Sequence, residues 1–470
     1  MSRRFGKSIS MTSGPILPGL LAMAIPLALS SILQALFSTA DFIVLGRYAS
    51  EHSLAAVGST GSLINFIVTL FVGLSLGSNA LVARFIGAGD NRRIHTAVQS
   101  SIGLAVISGA ILTVVGFVLA RPALLWMQSP PETLDLATTY VQVVSLGMIP
   151  AMVYNFGAAV LRSKGDTVRP LFYLTAAGVI NVVLNLVFVL IFRMDVGGVA
   201  LATAISQCIS AYLVVRSLTR ESGAFRLELT KLWPDRSVSW EILKIGIPAG
   251  FQGVVFSLSN LIIQSSINGF GPAAMAGSAA AQSIEAFVWF TMNAFTQSAM
   301  TFVSQNFGAK KYKRIDRIAL LSCICAAVSG ALLGNLAHYY GPTLLGVFDK
   351  RPEVIEAGMI RMAYVCGFYW LCGLMDCICG SIRGIGYNAT PTIVSLLGAC
   401  GSRILWVATI FQLPEYHTEA VLFFSYPGSW ALTFLVHLAC YLWMRRALSQ
   451  KISPSKTSPR IAPQSQRRTL

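Results

Sequence analysis

Gly87-Ala88-Gly89-Asp90-Asn91-Arg92-Arg93-Ile94 returns, loosely altered, as Gly308-Ala309-Lys310-Lys311-Tyr312-Lys313-Arg314-Ile315. Leu161-Arg162-Ser163-Lys164-Gly165 returns as Ile382-Arg383-Gly384-Ile385-Gly386, and Ala24-Ile25-Pro26 as Gly246-Ile247-Pro248. The three pairs keep one order and one offset, roughly 221 residues, which marks a duplicated half. In a membrane protein, two similar bundles allow a site between them to be opened from either side.

Composition puts the chain in the membrane. Mean hydropathy is +0.66 and charged residues are only 11%, against about 25% in soluble domains. About 20 mostly apolar residues cross a bilayer, and twelve such runs are present. They lie near 17–46, 54–82, 97–120, 135–160, 170–191 and 197–216, then near 241–267, 273–301, 318–341, 357–382, 391–412 and 421–444. The expected fold is an all-α integral membrane protein of two six-helix bundles. Six is even, so both halves enter in the same direction, related by a pseudo-two-fold axis along the membrane normal. The division predicted is a first lobe at 1–216, a linker at 217–240, a second lobe at 241–448 and a disordered basic tail at 449–470.

Lysine and arginine orient the spans. Of 35 basic residues, 28 fall at the termini, in the linker and in the connections after even-numbered spans. Both termini are therefore expected in the cytoplasm, in a multi-pass protein of the cytoplasmic (inner) membrane. The net charge of +16 is this bias and calls for no nucleic acid partner. All nine cysteines sit in apolar runs and read as small buried residues, not as disulfides or a zinc site. No cleavable signal peptide is expected, since the first apolar run is long.

Few ionisable residues remain inside the spans, and each is costly unless paired or hydrated. Asp41 lies roughly 7 Å below the outer end of the first run. Tyr140, Asn185, Thr203 and, one turn deeper, Asn181 fall in the same layer. One carboxylate among neutral oxygens suits a proton or a sodium ion; a local hydrogen-bonding role for Asp41 is the alternative. Glu285 and Arg403 each lie about 18 Å deep, either as a buried ion pair with each other or as substrate-contacting groups. Asp376 binds a cation or faces Arg383. Pro26 and Pro248 occupy equivalent places in the first helix of each half and are candidate hinges.

The pattern resembles the multidrug and toxic compound extrusion (MATE) family across about residues 15–448. The resemblance rests on Ile25-Pro26 followed by Thr39-Ala40-Asp41-Phe42-Ile43-Val44-Leu45-Gly46-Arg47, and on Ala83-Arg84-Phe85-Ile86-Gly87-Ala88-Gly89. It continues in Leu161-Arg162-Ser163-Lys164-Gly165-Asp166, Gly246-Ile247-Pro248-Ala249-Gly250-Phe251-Gln252 and Ser304-Gln305-Asn306-Phe307-Gly308-Ala309. It implies two lobes in a V around a central cavity, and export of organic, often cationic, compounds in exchange for Na+ or H+. No cofactor is implied; the partners are a small organic substrate and lipid, and the protein is expected to be a monomer. The family's first-lobe cation site falls on Asp41, Asn181 and Thr203, with Tyr140 beside them. Many relatives carry an acid where this chain has Asn185, so a single carboxylate leaves both ions open. A lipid-linked sugar flippase is the rival reading, disfavoured by twelve spans with few intramembrane basic residues. An enzyme is disfavoured by the absence of His-Glu-x-x-His and Gly-x-Ser-x-Gly.

Overall fold

The computed structural model describes residues 9–49 and 51–452. The segments 1–8 and 453–470, which include most of the predicted basic tail, lie outside the described residues. Twelve membrane-length helices follow one another, and no strand occurs among the described residues. In lipid this is the required solution, because a helix satisfies its backbone hydrogen bonds internally.

In the first half these are α1 (Ile16–Tyr48), α2 (Glu51–Ala88), α3 (Asn91–Trp126), α4 (Pro131–Leu146 and Met148–Ser163), α5 (Val168–Leu186, continued by the π-turn Val187–Ile191) and α6 (Val196–Thr219). The second half holds α7 (Arg236–Asn268), α8 (Pro272–Gly308), α9 (Tyr312–Tyr339) and α10 (Pro352–Val365 and Tyr369–Ile385). It continues with α11 (Ala389–Ser395, the π-turn Leu396–Gly401, then Ser402–Ala408) and α12 (Glu419–Ile452). The duplication extends to irregularities: α4 bends by 47° and its counterpart α10 by 44°. The π-turns fall in the fifth helix of each half.

Local sequence sets the helix ends. Asp90 caps α3 by accepting from the Arg93 amide at 3.0 Å, and Asp235 caps α7 by accepting from Val238 at 2.9 Å. Gly386, at φ 112°, closes α10 in the left-handed conformation.

Nine described helices are long and apolar enough to cross a membrane, and the two bent pairs bring the number to eleven. The remaining one is α8. Its 37 residues span about 55 Å, but Gln282, Glu285, Asn293, Gln297, Gln305 and Asn306 dilute its apolar content. It is the central helix, packing on α1, α2, α9 and both segments of α10, so its polar groups face protein more than lipid.

Glycine lets the two halves approach at the basic end of the bundle. A Cβ on Gly87 would run into the Gln305 carbonyl, and one on Gly308 into the Arg84 carbonyl. Deeper in the membrane, α2 and α7 touch backbone to backbone at Gly73 and Gly250. Hydrogen bonds reinforce the closure. Thr301 donates to Asn79 at 2.9 Å, and Gln305 donates to the Ser163 carbonyl at 2.7 Å.

The first helix of each half is divided between two cores. Leu20, Met23 and Leu27 of α1 pack with Phe302, Ile318, Ile382 and Tyr441 of the second half. Further along α1, Val44 and Leu45 pack with Val57, Val189, Val196 and Val199 of the first half. Correspondingly, Val238, Ile242 and Ile245 of α7 join the core of the first half, and Ile263 and Ile267 that of the second. In α1 the change of partner falls between Ala28 and Val44, beyond Pro26; in α7 it falls across Pro248. Neither helix is broken at its proline.

Candidate functional site

Three helices each turn one stripe of side chains toward a common space in the first lobe. From α1 come Gln34, Phe37, Ser38 and Asp41; from α5, Leu174, Ala177, Gly178 and Asn181; from α6, Thr203, Ser206, Gln207 and Ser210. Together they line a cavity of about 100 Å³. Each stripe has the three- and four-residue spacing that places side chains on one helix face. Gly178 allows α1 to come close, because a Cβ there would occupy the position of the Phe37 ring.

Asp41 is half-buried at the edge of this cavity. The amide of fully buried Asn185 donates to Asp41 Oδ1 at 2.5 Å and to Asn181 Oδ1 at 3.4 Å. Asn181 in turn donates to Thr203 Oγ1 at 3.4 Å, and Thr203 donates to the Val199 carbonyl at 3.0 Å. The structure therefore links Asp41, Asn185, Asn181 and Thr203 in one chain. Tyr140 joins α4 to the same region by packing against the cluster around Val44 and Val199.

Two features mark the chemistry of this group. No Lys, Arg or His forms an ion pair with Asp41 among the described residues. An ionised carboxylate in a membrane core costs several kcal/mol without a compensating charge. Second, Asn185 Oδ1 is buried with no hydrogen-bond partner, and such atoms are uncommon in native proteins. Rotating the amide by half a turn would aim this acceptor at Asp41. It would then meet a proton on the carboxyl or a cation held by it.

The second lobe is built differently. Glu285 does not pair with Arg403 as expected. It forms a two-pronged ion pair with Arg361, at 2.8 Å on each oxygen, and Arg361 also donates to Ser278 at 2.9 Å. Arg361 lies only four residues inside its apolar run, where an arginine reads as interfacial, so its position in the sequence does not announce a buried partner. Arg403 donates instead to Ser429 at 2.8 Å and stacks on Tyr426, 4.3 Å from the ring centre. Among the described residues, Asp376 receives only a thiol contact, from Cys372 at 3.9 Å. Arg383, its expected partner, donates to Gln252 at 2.5 Å. No cluster of three or more His, Cys, Asp or Glu suited to a metal ion occurs among the described residues.

Two six-helix lobes joined at one end, with a lone carboxylate in a polar cavity of one lobe, have the build of a multi-pass membrane transporter. The MatE family model matches residues 26–187 and 248–408, once in each half. The chain belongs to this family, the multidrug and toxic compound extrusion transporters. It is 27% identical over 402 residues to the probable multidrug resistance protein YpnP of Bacillus subtilis, covering 83% of this chain and 87% of the relative. It is 26% identical over 358 residues to the FAD transporter of Shewanella oneidensis, covering 74% of this chain and 77% of the relative. A crystal structure of a MATE protein in complex with MaL6 superposes with a TM-score of 0.88. The two chains are 19% identical, over 95% of this chain and all of that one. That agreement bears on the fold, twelve helices in two lobes.

Proposed function

We propose that the protein exports an organic molecule across the cytoplasmic membrane in exchange for one monovalent cation, Na+ or H+, taken up at Asp41. The observation that carries this reading is the unpaired carboxylate hydrogen-bonded to Asn185, whose own oxygen lacks a partner. One negative charge among neutral groups matches one positive charge; a divalent ion is better served by more carboxylates. Asn181, Thr203 and Tyr140 complete the polar surroundings. Ion entry neutralises Asp41, reverses the Asn185 amide and changes how α1 sits on α5.

Alternating access supplies the route. The basic end faces the cytoplasm by the positive-inside rule, so the glycine contacts and hydrogen bonds there form the closed inner gate. Pro26 and Pro248 serve as hinges, because each removes a backbone hydrogen bond near the point where its helix changes lobes. The names of the relatives run from multidrug resistance to an FAD transporter, which supports an organic substrate without fixing its charge. The protein acts as a monomer in this reading, since one chain holds both lobes and the ion site.

The test is transport in proteoliposomes under an imposed sodium gradient or an imposed pH gradient, one at a time. Substrate movement driven by one gradient and lost in Asp41→Asn supports the proposal. Equal gradient-driven transport by Asp41→Asn removes Asp41 from coupling.

A further inference from the structure

The stretch before α1 is hydrogen-bonded chiefly to the lobe it does not lead into. Met11 is almost fully buried, at 1% exposure, and its carbonyl accepts from Asn306 Nδ2 at 3.0 Å and from Arg314 Nε at 3.3 Å. The Thr12 carbonyl accepts from Lys311 Nζ at 2.9 Å. Arg314 Nη2 donates to the carbonyls of Ser13 and Gly14 at 3.1 and 2.9 Å. The three donor residues lie at the end of α8, in the turn after it and at the start of α9, all in the second lobe. At its other end the segment touches the first lobe: Gly165, in the α4–α5 connection at φ 90°, lies against the Ile9 backbone, where a Cβ would sit 2.9 Å from the Ile9 carbonyl.

The segment thus crosses between the lobes at their closed end. We propose that residues 9–14 form a latch that holds the inner gate shut, fastened by Lys311 and Arg314 and released when the gate opens. This rests on the alternating-access reading above. Every hydrogen bond of the fastening uses a backbone carbonyl as acceptor, and the buried Met11 side chain anchors the segment in the second-lobe core. The donors set its strength, and two of the three are cations, whose hydrogen bonds are the stronger kind. The latch is continuous with the half of α1 that packs in the second-lobe core. Release therefore frees this end of α1 on the far side of Pro26 from Asp41.

The test uses the full-length protein in inverted membrane vesicles with a reporter cysteine, Thr301→Cys, at the buried gate contact with Asn79. Labelling by a membrane-impermeant maleimide is timed, with the protein lacking the reporter as the blank. Adding Lys311→Gln with Arg314→Gln is expected to speed labelling by about tenfold, the scale for losing one or two charge-assisted hydrogen bonds. Arg314→Lys, which cannot reach three carbonyls at once, should give an intermediate rate even if the double variant folds poorly. Arg317→Gln, an exposed residue in the second turn of α9, should leave the rate unchanged. Equal rates in parent, Arg314→Lys and double variant, while the parent still responds to ion gradients, overturn the latch alone. A parent rate indifferent to every gradient overturns alternating access and the latch together.

Discussion

Gly87 and Gly308, 221 residues apart, meet each other's helices in the same way. Gly87 lies against the carbonyl of Gln305, and Gly308 against that of Arg84; Arg84 and Gln305 are themselves 221 residues apart. The contact is reciprocal and lies on the pseudo-two-fold axis. A side chain at either position must push two backbones apart. Gly87→Ala and Gly308→Ala are each expected to destabilise the closed form by about 1–3 kcal/mol, the usual cost of overpacking. Thermal melting in detergent measures it, and unchanged melting for both would show that the contact is slack.

Asn185 offers a direct test of the ion site. Asn185→Leu removes both the donor to Asp41 and the unpartnered oxygen. Gradient-driven transport should fall by at least about tenfold, while the amount of protein in the membrane changes little. Asn185→Asp adds a second carboxylate beside the first and should shift the pH dependence of transport. An unaltered pH profile in Asn185→Asp would falsify direct coupling between the two side chains.

The Glu285–Arg361 pair is a strut whose two ends depend on each other. Removing one partner from a buried pair leaves an uncompensated charge and costs about 3–5 kcal/mol. Arg361→Met should therefore reduce the level of folded protein sharply. Combining it with Glu285→Gln should restore much of that level. Recovery absent from the double variant, measured by size exclusion of the solubilised protein, would mean the arginine has another essential contact.

Glu221, in the connection after α6, ties the linker to the α4–α5 turn through Lys164 at 2.7 Å and Arg169 at 2.6 Å. Burial pushes its carboxyl up, but the two cations outweigh burial and hold it below the ordinary 4.5. A pKa lowered by folding stabilises the fold above the unfolded value and loses that stability as pH falls through the folded one. Protection of this connection from hydrogen exchange should hold from neutral pH down to 4.5 and weaken only below it. A loss of protection centred above 4.5 contradicts the assignment.

Most of the architecture could be read from apolar run length, because a bilayer leaves the chain few alternatives. This holds even for α8: its run at 273–301 reads as a span although polar groups dilute it, and it is the helix at the centre. In the first lobe, depth alone brings Asp41, Asn181, Asn185 and Thr203 to one level, and their side chains are linked in the structure. Depth does not reveal the stripe that continues from Thr203 through Ser206, Gln207 and Ser210. Pairing in the second lobe was not legible. Depth placed Glu285 and Arg403 in one layer, but depth does not say which way a side chain points around its helix. Arg361, one bent segment away, had the right azimuth. The sharing of α1 between lobes was hidden because both of its faces are apolar.

That sharing has a bearing on biogenesis. Leu20 and Met23 complete a core with Phe302 and Ile318, which the ribosome reaches nearly three hundred residues later. At about 5–20 residues per second, the first helix waits on the order of tens of seconds for its partners, its unmatched face covered only by lipid. The duplicated halves are thus not two independently folding units. Expressed apart, each would lack a piece of its own interior, and only co-expression would return it.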